Sequence, residues 1–345
     1  AIEEKDTWRL QPSISPLWDT ALVVNALLEA GFEPNDPSIV RASDWLTSSQ
    51  IHHSGDWEKR ARDVTPGGWA FEFHNINYPD IDDTSLVLYA IGRGGTTDKT
   101  RRNQAVRRGI DWIMALQSNN GGWAAYDKNN TSQIVSKLPF FDFGETIDPP
   151  SVDVTAHILE MLGALGHPLN INPIRHALDY IWSEQEEDGC WFGRWGTNYL
   201  YGTAAVLPAL RAIGHNMSDS RVRSAANWIE THQNNDNGWG ESCSSYADPT
   251  LRGQGQSTPS QTAWAIIGLI GAGRSCGDSA KRGVEFLLSN QNLDGTWTEP
   301  FFTGTGFPGY GFGERRFTSV SNHNQEIMPD ELPTGFMIKY HMYRI

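Results

Sequence analysis

Three carboxylates crowd into one short stretch of this sequence. The segment YPDIDDTS (78–85) places Asp80, Asp82 and Asp83 within four positions, directly ahead of the apolar run LVLYAI. One Asp is enough to cap a helix and to favour the positive end of its dipole. Like charges this close do not all ionise cheaply, so we expect at least one carboxyl to keep its proton near neutral pH. A retained proton beside an apolar wall predicts an acid catalyst.

Two kinds of repeat alternate along the chain and predict the elements that position these acids. The first kind has a basic start, an apolar helical stripe, a Gln and a turn that ends in Trp, as in RRGIDWIMALQSNNGGW (107–123). Its other copies lie at 175–191, 223–239, 281–297 and, with one extra residue, 41–57. The second kind is an almost wholly apolar helix, found at 18–31, 82–93, 153–166, 201–214 and 260–273, with a weaker copy at 333–344. Such internal repetition is typical of stacked helical units.

The alternation predicts an all-α fold, an (α/α)6 barrel that occupies 1–345 as one domain. Helices that are apolar all round are buried, and amphipathic helices cover them. In such a ring the inner helices run parallel, so their N-termini gather at one end. Asp19, Asp153 and Gln261 then lie at the same end as the acid motif. Residues 310–333 are polar and Gly-rich and read as a long loop.

Composition and charge narrow the function classes. Hydrophobic content of 39% and charged content of 20% are typical of a soluble globular protein, and no apolar run is long enough to span a bilayer. A net charge of −14 argues against nucleic acid as a partner. Cys190, Cys243 and Cys276 show no CxxC spacing, which predicts a reducing, cytoplasmic compartment and no structural zinc site.

The repeats resemble the QW motifs of the squalene–hopene and oxidosqualene cyclase family. DIDDT (80–84) matches the DxDD motif of class II terpene cyclases. The segments QPSISPLWDTA, GGWAFEF, GGWAAYD, FFDFGETIDPPSVDVTAH, WFGRWGTNYLYGT, STPSQTAWA and GTGFPG resemble stretches of the carboxy-terminal half of squalene–hopene cyclases. In that family this half is mostly one α/α barrel that holds the catalytic acid.

The resemblance carries an expectation about substrate. Hopene-type members have a second α/α barrel, which this chain lacks, so the sequence resembles a single-domain class II cyclase of the merosterolic acid synthase type. This implies conversion of a linear polyprenyl chain, in the first place a prenylated aromatic acid, into a polycyclic meroterpenoid isomer. The partner is then a small isoprenoid molecule, and an aromatic head group could plug the open end of the barrel.

The resemblance also assigns roles to individual residues. It makes Asp82 the proton donor, with Asp80 and Asp83 tuning it through charge and hydrogen bonds. It implies that His157 hydrogen-bonds to the acid and that Tyr201 helps to return the proton through ordered water.

Further residues are expected to support the acid or to line the cation pocket. Asp19 and Asp153 would buttress the acid network. Electron-rich aromatic faces attract cations by about 0.5–2 kcal/mol each. The residues expected to line the pocket are Trp18, Phe71, Tyr126, Phe143, Trp195, Gln261, Phe307, Phe336, Tyr340 and Tyr343. The QW tryptophans are interpreted as structural, with each Gln tying helix ends together.

Three alternatives stay open at this point. An α/α-barrel glycoside hydrolase also uses paired carboxylates and Trp platforms, but its walls would be more polar. A protein prenyltransferase subunit would need a zinc site, for which no convincing residue set is found. The chain could also be half of a two-barrel cyclase that acts with a partner domain.

No cofactor is predicted, because the sequence lacks a DDxxD motif, a phosphate loop and a dinucleotide fingerprint. A hydrophobic substrate favours peripheral membrane contact, but the sequence shows no basic amphipathic helix that would support such contact. The oligomeric state is not predicted.

Overall fold

The computed structural model describes residues 2–4, 7–9, 15–132, 134, 147–167, 169–299, 301, 303–307 and 336–338. It divides into two compact units. The first comprises Ala1–Gln117 with Ala124–Lys128, and the second comprises Ser118–Trp123 with Asn129–Ile345. The interpretation of residues 1–345 as one domain stays a prediction.

The first unit consists of two helical hairpins and one short strand pair. Its elements are α1 (Pro16–Glu29), α2 (Pro37–Ser48), α3 (Ile81–Arg93), α4 (Lys99–Ala115), β1 (Ile2–Glu4) and β2 (Thr7–Arg9), the two strands being antiparallel. The inner helices α1 and α3 pack against each other, and α2 and α4 pack against them from outside.

The second unit continues the same alternation. Its elements are α5 (Val152–Ala164), α6 (Asn172–Ser183), α7 (Tyr199–Ala212), α8 (Ser220–Thr231), α9 (Pro259–Gly271), α10 (Asp278–Ser289), β3 (Gly304–Phe307) and β4 (Phe336–Ile338). The inner helix α7 packs extensively against α5 and α9, while α6, α8 and α10 are amphipathic and cover them.

Five of the six predicted inner helices are confirmed, as α1, α3, α5, α7 and α9. The sixth, predicted at 333–344, is wrong where the structure describes it. Residues Phe336–Ile338 form strand β4, antiparallel to β3, so their backbone groups bond across a sheet and not along a helix. The rest of that segment and the predicted loop at 310–333 lie outside the described residues.

The QW residues join each outer helix to the turn that follows it. Four of the Trp indoles donate a hydrogen bond to a carbonyl in the last turn of the preceding outer helix. The pairs are Trp69 to Leu46, Trp191 to Ile181, Trp239 to Ile229 and Trp297 to Leu287, at 2.7–2.8 Å. The Gln amide bonds to its own turn and to the next outer helix, as Gln185 does with the carbonyls of Gly189 and Arg221 at 2.9 and 3.1 Å. The predicted structural role of these residues is therefore confirmed for the described copies.

Four QW tryptophans also fix the start of the inner helix that follows them. Their backbone amides donate to the Oγ1 atom of a threonine in the first turn of that helix. The pairs are Trp69 with Thr84, Trp123 with Thr155, Trp191 with Thr203 and Trp239 with Thr262, at 2.9–3.0 Å. This explains the threonine that recurs at the start of the inner repeats, and it sets a common register for their N-termini.

One tryptophan assignment in the first copy is wrong. The sequence pattern takes Trp57 as the QW tryptophan of 41–57, but Trp69 makes the indole and amide hydrogen bonds of that role. The residues between Gln50 and Trp69 are an insertion, since Gln50 bonds to the carbonyl of Gly67 at 2.8 Å. Trp57 sits in this insertion, in a short 3-10 helix (Asp56–Lys59).

We predict that Trp69→Phe lowers the free energy of unfolding more than Trp57→Phe does. Both side chains are buried, but only the Trp69 indole makes a hydrogen bond that the substitution would remove, the one to the Leu46 carbonyl. The Trp57 indole nitrogen has no partner among the described residues. The extra loss should be about 0.5–1.5 kcal/mol, the net contribution of one hydrogen bond, measured by urea unfolding of the two variants. Equal losses would contradict the assignment of Trp69 as the QW tryptophan.

Candidate active site

The three acids of DIDDT are buried together at the N-terminus of α3. Asp80 is the N-cap residue, and Asp82 and Asp83 lie in the first helical turn. Their exposed fractions are 6%, 6% and 1%, although carboxylates rarely lie this deep without a partner. Three buried carboxyls in one turn form a site where protonation is under strong control.

Asp80 organises the cluster through its hydrogen bonds. Its Oδ1 accepts from the amides of Asp82 and Asp83 at 2.7 and 3.1 Å, which caps the helix. Its own amide donates to the carbonyl of Trp69 at 2.7 Å, so the QW turn places the cap. The Ala125 carbonyl accepts from the amide of Ile81 at 2.6 Å.

Burial and mutual repulsion hold protons on this cluster. Burial, and then the charge of Asp82, raises the pKa of Asp80 to about 7, against an ordinary value of 3.8. Burial, then the charges of Asp80 and Asp82, raises the pKa of Asp83 well above that value. A hydrogen bond between the carboxyls of Asp80 and Asp83 adds to this rise, and such a bond needs one proton. These shifts support the prediction that the cluster keeps a proton near neutral pH.

Other predicted site residues of the first unit lie around this cluster or near α1. Asp19, in the first turn of α1, keeps solvent contact, yet its charge contributes to the raised pKa of Asp83. Partial desolvation also raises the pKa of Asp19 itself. Trp18 and Phe71 are half-buried, the first on α1 and the second in the segment that leads to α3.

Tyr126 has a role that the sequence did not suggest. It is expected to line the cation pocket, but its hydroxyl donates a hydrogen bond to the carboxyl of Asp80. That bond favours the ionised form of Asp80 and lowers its pKa, against the effect of burial. Tyr126 therefore tunes the acid cluster.

We predict that Tyr126→Phe raises the pKa of Asp80 above about 7, because the donor that stabilises its carboxylate is lost. The measurement is a carbon NMR titration of protein labelled at the aspartate carboxyl. Tyr78→Phe, at a tyrosine that is 49% exposed, is the matched control and should leave the titration unchanged. An unchanged or lower Asp80 midpoint in Tyr126→Phe would contradict the assignment.

In the second unit, Asp153 holds a loop by its backbone. It is fully buried in the first turn of α5. Its Oδ2 accepts from the amides of Arg194 and Trp195 at 3.0 and 2.8 Å, and its Oδ1 accepts from the amide of Val154. Asp153 thus holds the loop that carries Trp195, while its buttressing of the acid network stays a prediction.

Tyr201 lies in a cluster of aromatic rings. Its ring centroid is 4.7 Å from that of Trp264 and 6.1 Å from that of His157. A Cβ added at Gly196 would come within 2.4 Å of the Tyr201 ring, so Gly196 allows the loop to lie against it. Trp264 was missed by the sequence analysis because it follows a Thr-Ala pair inside an apolar helix and reads as core. That His157 hydrogen-bonds to the acid and that Tyr201 returns the proton stay predictions.

Gln261 is fully buried and bridges loops. Its amide nitrogen donates to the carbonyls of Thr197 and Glu241, both at 3.0 Å, and its oxygen accepts from the amide of Glu241 at 3.0 Å. Glu241 in turn accepts from the amide of Leu200 at 2.8 Å, at the start of α7. The polar groups of Gln261 are therefore engaged with backbone, and its lining role stays a prediction.

Several predicted residues cannot be compared with the site. Phe143, Tyr340 and Tyr343 lie outside the described residues. Phe307 and Phe336 are backbone partners across β3 and β4. Within the described ranges, no group of three or more His, Cys, Asp or Glu side chains is arranged to hold a metal ion. Among the helices described, none is long and apolar enough to cross a membrane.

Comparison with known proteins identifies the family. Residues 14–318 match the model of the squalene-hopene cyclase C-terminal domain. The chain belongs to the squalene–hopene cyclase family. It is 53% identical over 302 residues to a squalene–hopene cyclase of Alicyclobacillus acidocaldarius. The matched region covers 88% of this chain and 48% of that protein. The chain spans about half the length of the relatives that it matches.

Solved structures of class II enzymes share the fold. The apo type II terpene cyclase MstE from Scytonema has a TM-score of 0.59 at 18% identity, over 95% of this chain and 84% of that one. A structure of a variant of the same cyclase in complex with geranylgeranyl dihydroxybenzoate has a TM-score of 0.57 at 19% identity, over 87% of this chain and 76% of that one. The fold class is thus the all-α barrel fold of squalene–hopene cyclase domains, as predicted.

Proposed function

We propose that this chain is a class II terpene cyclase, which closes the rings of a linear polyprenyl chain after protonating its terminal alkene. The observation that carries the proposal is the buried acid cluster at the N-terminus of α3, in which the pKa values of Asp80 and Asp83 are both raised. An alkene is a weak base, so its protonation needs a carboxyl that keeps its proton in a dry site.

The proposed donor is Asp82, through which the proton that the cluster retains adds to the CH carbon of the terminal alkene. The π electrons form the new C–H bond and leave a cation on the carbon that bears two methyl groups. The next alkene attacks that cation, which forms a ring and moves the charge along the chain. A proton lost from the last cation completes the reaction, so substrate and product are isomers. Water then returns a proton to the cluster.

The cation needs neutral, electron-rich walls, since a carboxylate wall would capture it. Trp195 and Tyr201 are proposed as wall and proton-return residues in the second unit, and Trp18 and Phe71 as wall residues in the first. Each face contributes about 0.5–2 kcal/mol of attraction, more where water is excluded. No metal or organic cofactor takes part in these steps.

Two substrate classes fit this chemistry. A prenylated aromatic acid is the substrate that the sequence resemblance favours, and the structure of the Scytonema cyclase holds geranylgeranyl dihydroxybenzoate. A hydrocarbon polyprene such as squalene is favoured by the 53% identity to a squalene–hopene cyclase, against 19% to the Scytonema enzyme. The second class has the stronger support, and it includes the case in which this chain acts together with the other half of a longer cyclase.

The experiment is an incubation of the purified chain with squalene, geranylgeranyl diphosphate and a geranylgeranylated dihydroxybenzoate. Mass spectrometry and chromatography would detect a product of unchanged mass that has fewer double bonds. Conversion of squalene or of the prenylated benzoate identifies the substrate class. Release of diphosphate from geranylgeranyl diphosphate would contradict protonation as the first step, as would cleavage of sugar polymers.

A further inference from the structure

The loop Gly193–Asn198, here called the tryptophan loop, is held in part by Tyr246, a side chain that the proposed chemistry does not use. The hydroxyl of Tyr246 donates to the carbonyl oxygens of Gly193 and Gly196, which lie 3.0 and 2.8 Å away. Trp195 lies between these two glycines. One phenol therefore spans the segment of backbone from which the Trp195 indole projects.

Tyr246 is built to act as a fixed donor. It ends a short 3-10 helix (Cys243–Tyr246), and its ring makes an edge contact with Phe192 at 5.5 Å between centroids. Burial, and to a smaller extent the charges of Cys243 and Asp153, raises the pKa of Tyr246 well above its ordinary value of 10. The hydroxyl thus stays protonated, and able to donate, near neutral pH.

The carbonyl contacts complement those that Asp153 makes with the amides of the same loop. The Asp153 carboxylate accepts hydrogen bonds from the amides of Arg194 and Trp195. The Tyr246 hydroxyl donates to the carbonyls of the residues on either side of them. A further hydrogen bond holds the end of the loop, where the amide of Thr197 donates to the carbonyl of Thr303 at 2.8 Å.

Two predicted site residues depend on where this loop lies. Trp195 belongs to the loop, and the guanidinium of Arg194 stacks over its ring at 5.1 Å. Gly196 lies so close to the ring of Tyr201 that a Cβ there would approach it to 2.4 Å. A shift of the loop would therefore move Trp195 and change the contact between Gly196 and the Tyr201 ring.

We propose that Tyr246 is a positioning residue that fixes the tryptophan loop and thereby orients Trp195 as a wall residue for the cations of the cyclisation. This inference rests on the proposed function. It assigns Tyr246 to control of the product, through Trp195, and gives it no part in the first protonation.

The test compares Tyr246→Phe with Tyr180→Phe. The Tyr180 hydroxyl also donates to a backbone carbonyl, that of Pro150 at 2.8 Å, but it lies on the outer helix α6. With the substrate that the chain converts, Tyr246→Phe should raise the ratio of partly cyclised to fully cyclised product by between about 2-fold and about 30-fold. Total substrate consumption should fall by less than about 3-fold in the same variant. Tyr180→Phe should leave the product ratio unchanged.

A second comparison asks whether the effect passes through Trp195. If it does, Trp195→Ala and the double variant with Tyr246→Phe should give the same product ratio. A product ratio in Tyr246→Phe equal to that of the unmodified protein would overturn the proposal. The proposal would also be overturned if adding Tyr246→Phe to Trp195→Ala changed the product ratio by as much as Tyr246→Phe is expected to change it alone.

Amide hydrogen exchange gives a readout that needs no activity. Tyr246→Phe should speed exchange at the amides of Arg194 and Trp195 by about 10-fold or more, since the loop opens more often. Tyr180→Phe should not change them. Unchanged exchange at these amides in Tyr246→Phe would overturn the positioning role, even if no cyclised product were found and the proposed function itself failed.

Discussion

Asp82→Asn abolishes formation of the cyclised isomer. The amide has nearly the shape of the carboxyl but no acidic proton, so the terminal alkene meets no donor. General acid groups contribute about 10²- to 10⁴-fold to rates, and we expect a loss at the upper end of that range because no other step can start the reaction. The measurement is the initial rate of product formation under saturating substrate, followed by chromatography with mass spectrometry, since substrate and product have the same mass.

The fold of this variant should survive, because Asp82 is a source of repulsion in the cluster. Its charge contributes to the raised pKa values of both Asp80 and Asp83, and the substitution removes it. The thermal midpoint of Asp82→Asn should therefore equal or exceed that of the unmodified protein. Asp111→Asn, at an exposed position on α4, is the matched control and should keep full activity. Activity in Asp82→Asn above a tenth of the original would remove Asp82 from the donor role.

The second large effect is a loss of stability as pH rises. Asp80 titrates at about 7 in the folded protein and at its ordinary value of 3.8 when unfolded. Between these two pH values the folded state binds more protons than the unfolded state, so the free energy of unfolding falls as pH rises. The contribution is fully present below pH 3.8 and is lost by the time pH passes about 7. For Asp80 alone the loss amounts to about 4 kcal/mol.

The raised pKa of Asp83 adds to this loss of stability with rising pH, and it predicts a matching loss of activity as the retained proton leaves. Urea unfolding from pH 4 to pH 8.5 measures the stability. The double variant Asp80→Asn/Asp83→Asn should show a flatter profile, and its helix start should persist because Asn caps as well as Asp does. The assigned pKa shifts would be contradicted if the free energy of unfolding rose over this pH range in the unmodified protein and fell only in the double variant.

Hydrophobic periodicity was enough to predict five inner helices and the outer helices between them. Each inner helix is apolar on nearly every side, which only a buried position satisfies. The crowding of carboxylates in YPDIDDTS likewise predicted a retained proton, since that follows from burial and repulsion alone. The hydrogen bond from Tyr126 to Asp80 could not be predicted, because the sequence does not show that these two residues lie next to each other in the fold.

The failures have similar causes. Trp57 lies at nearly the right distance from Gln50 to be the QW tryptophan, and the insertion that makes Trp69 the true one is visible only through its hydrogen bonds. The apolar segment at 333–344 reads as a helix, yet Phe336–Ile338 bonds to β3, a partner about 30 residues away in sequence. Tyr246 and Trp264 were missed because an aromatic residue in a loop or core carries no local signal of what it holds.

The most direct test of proton-initiated cyclisation is the position of the proton that the enzyme adds. The chain is incubated in D₂O with the substrate that it converts, and the product is analysed by NMR. The mechanism predicts one deuterium, on the ring carbon next to the carbon that bears two methyl groups, and none when Asp82→Asn is used. A cyclised product without deuterium at that carbon would contradict protonation of the terminal alkene by this cluster.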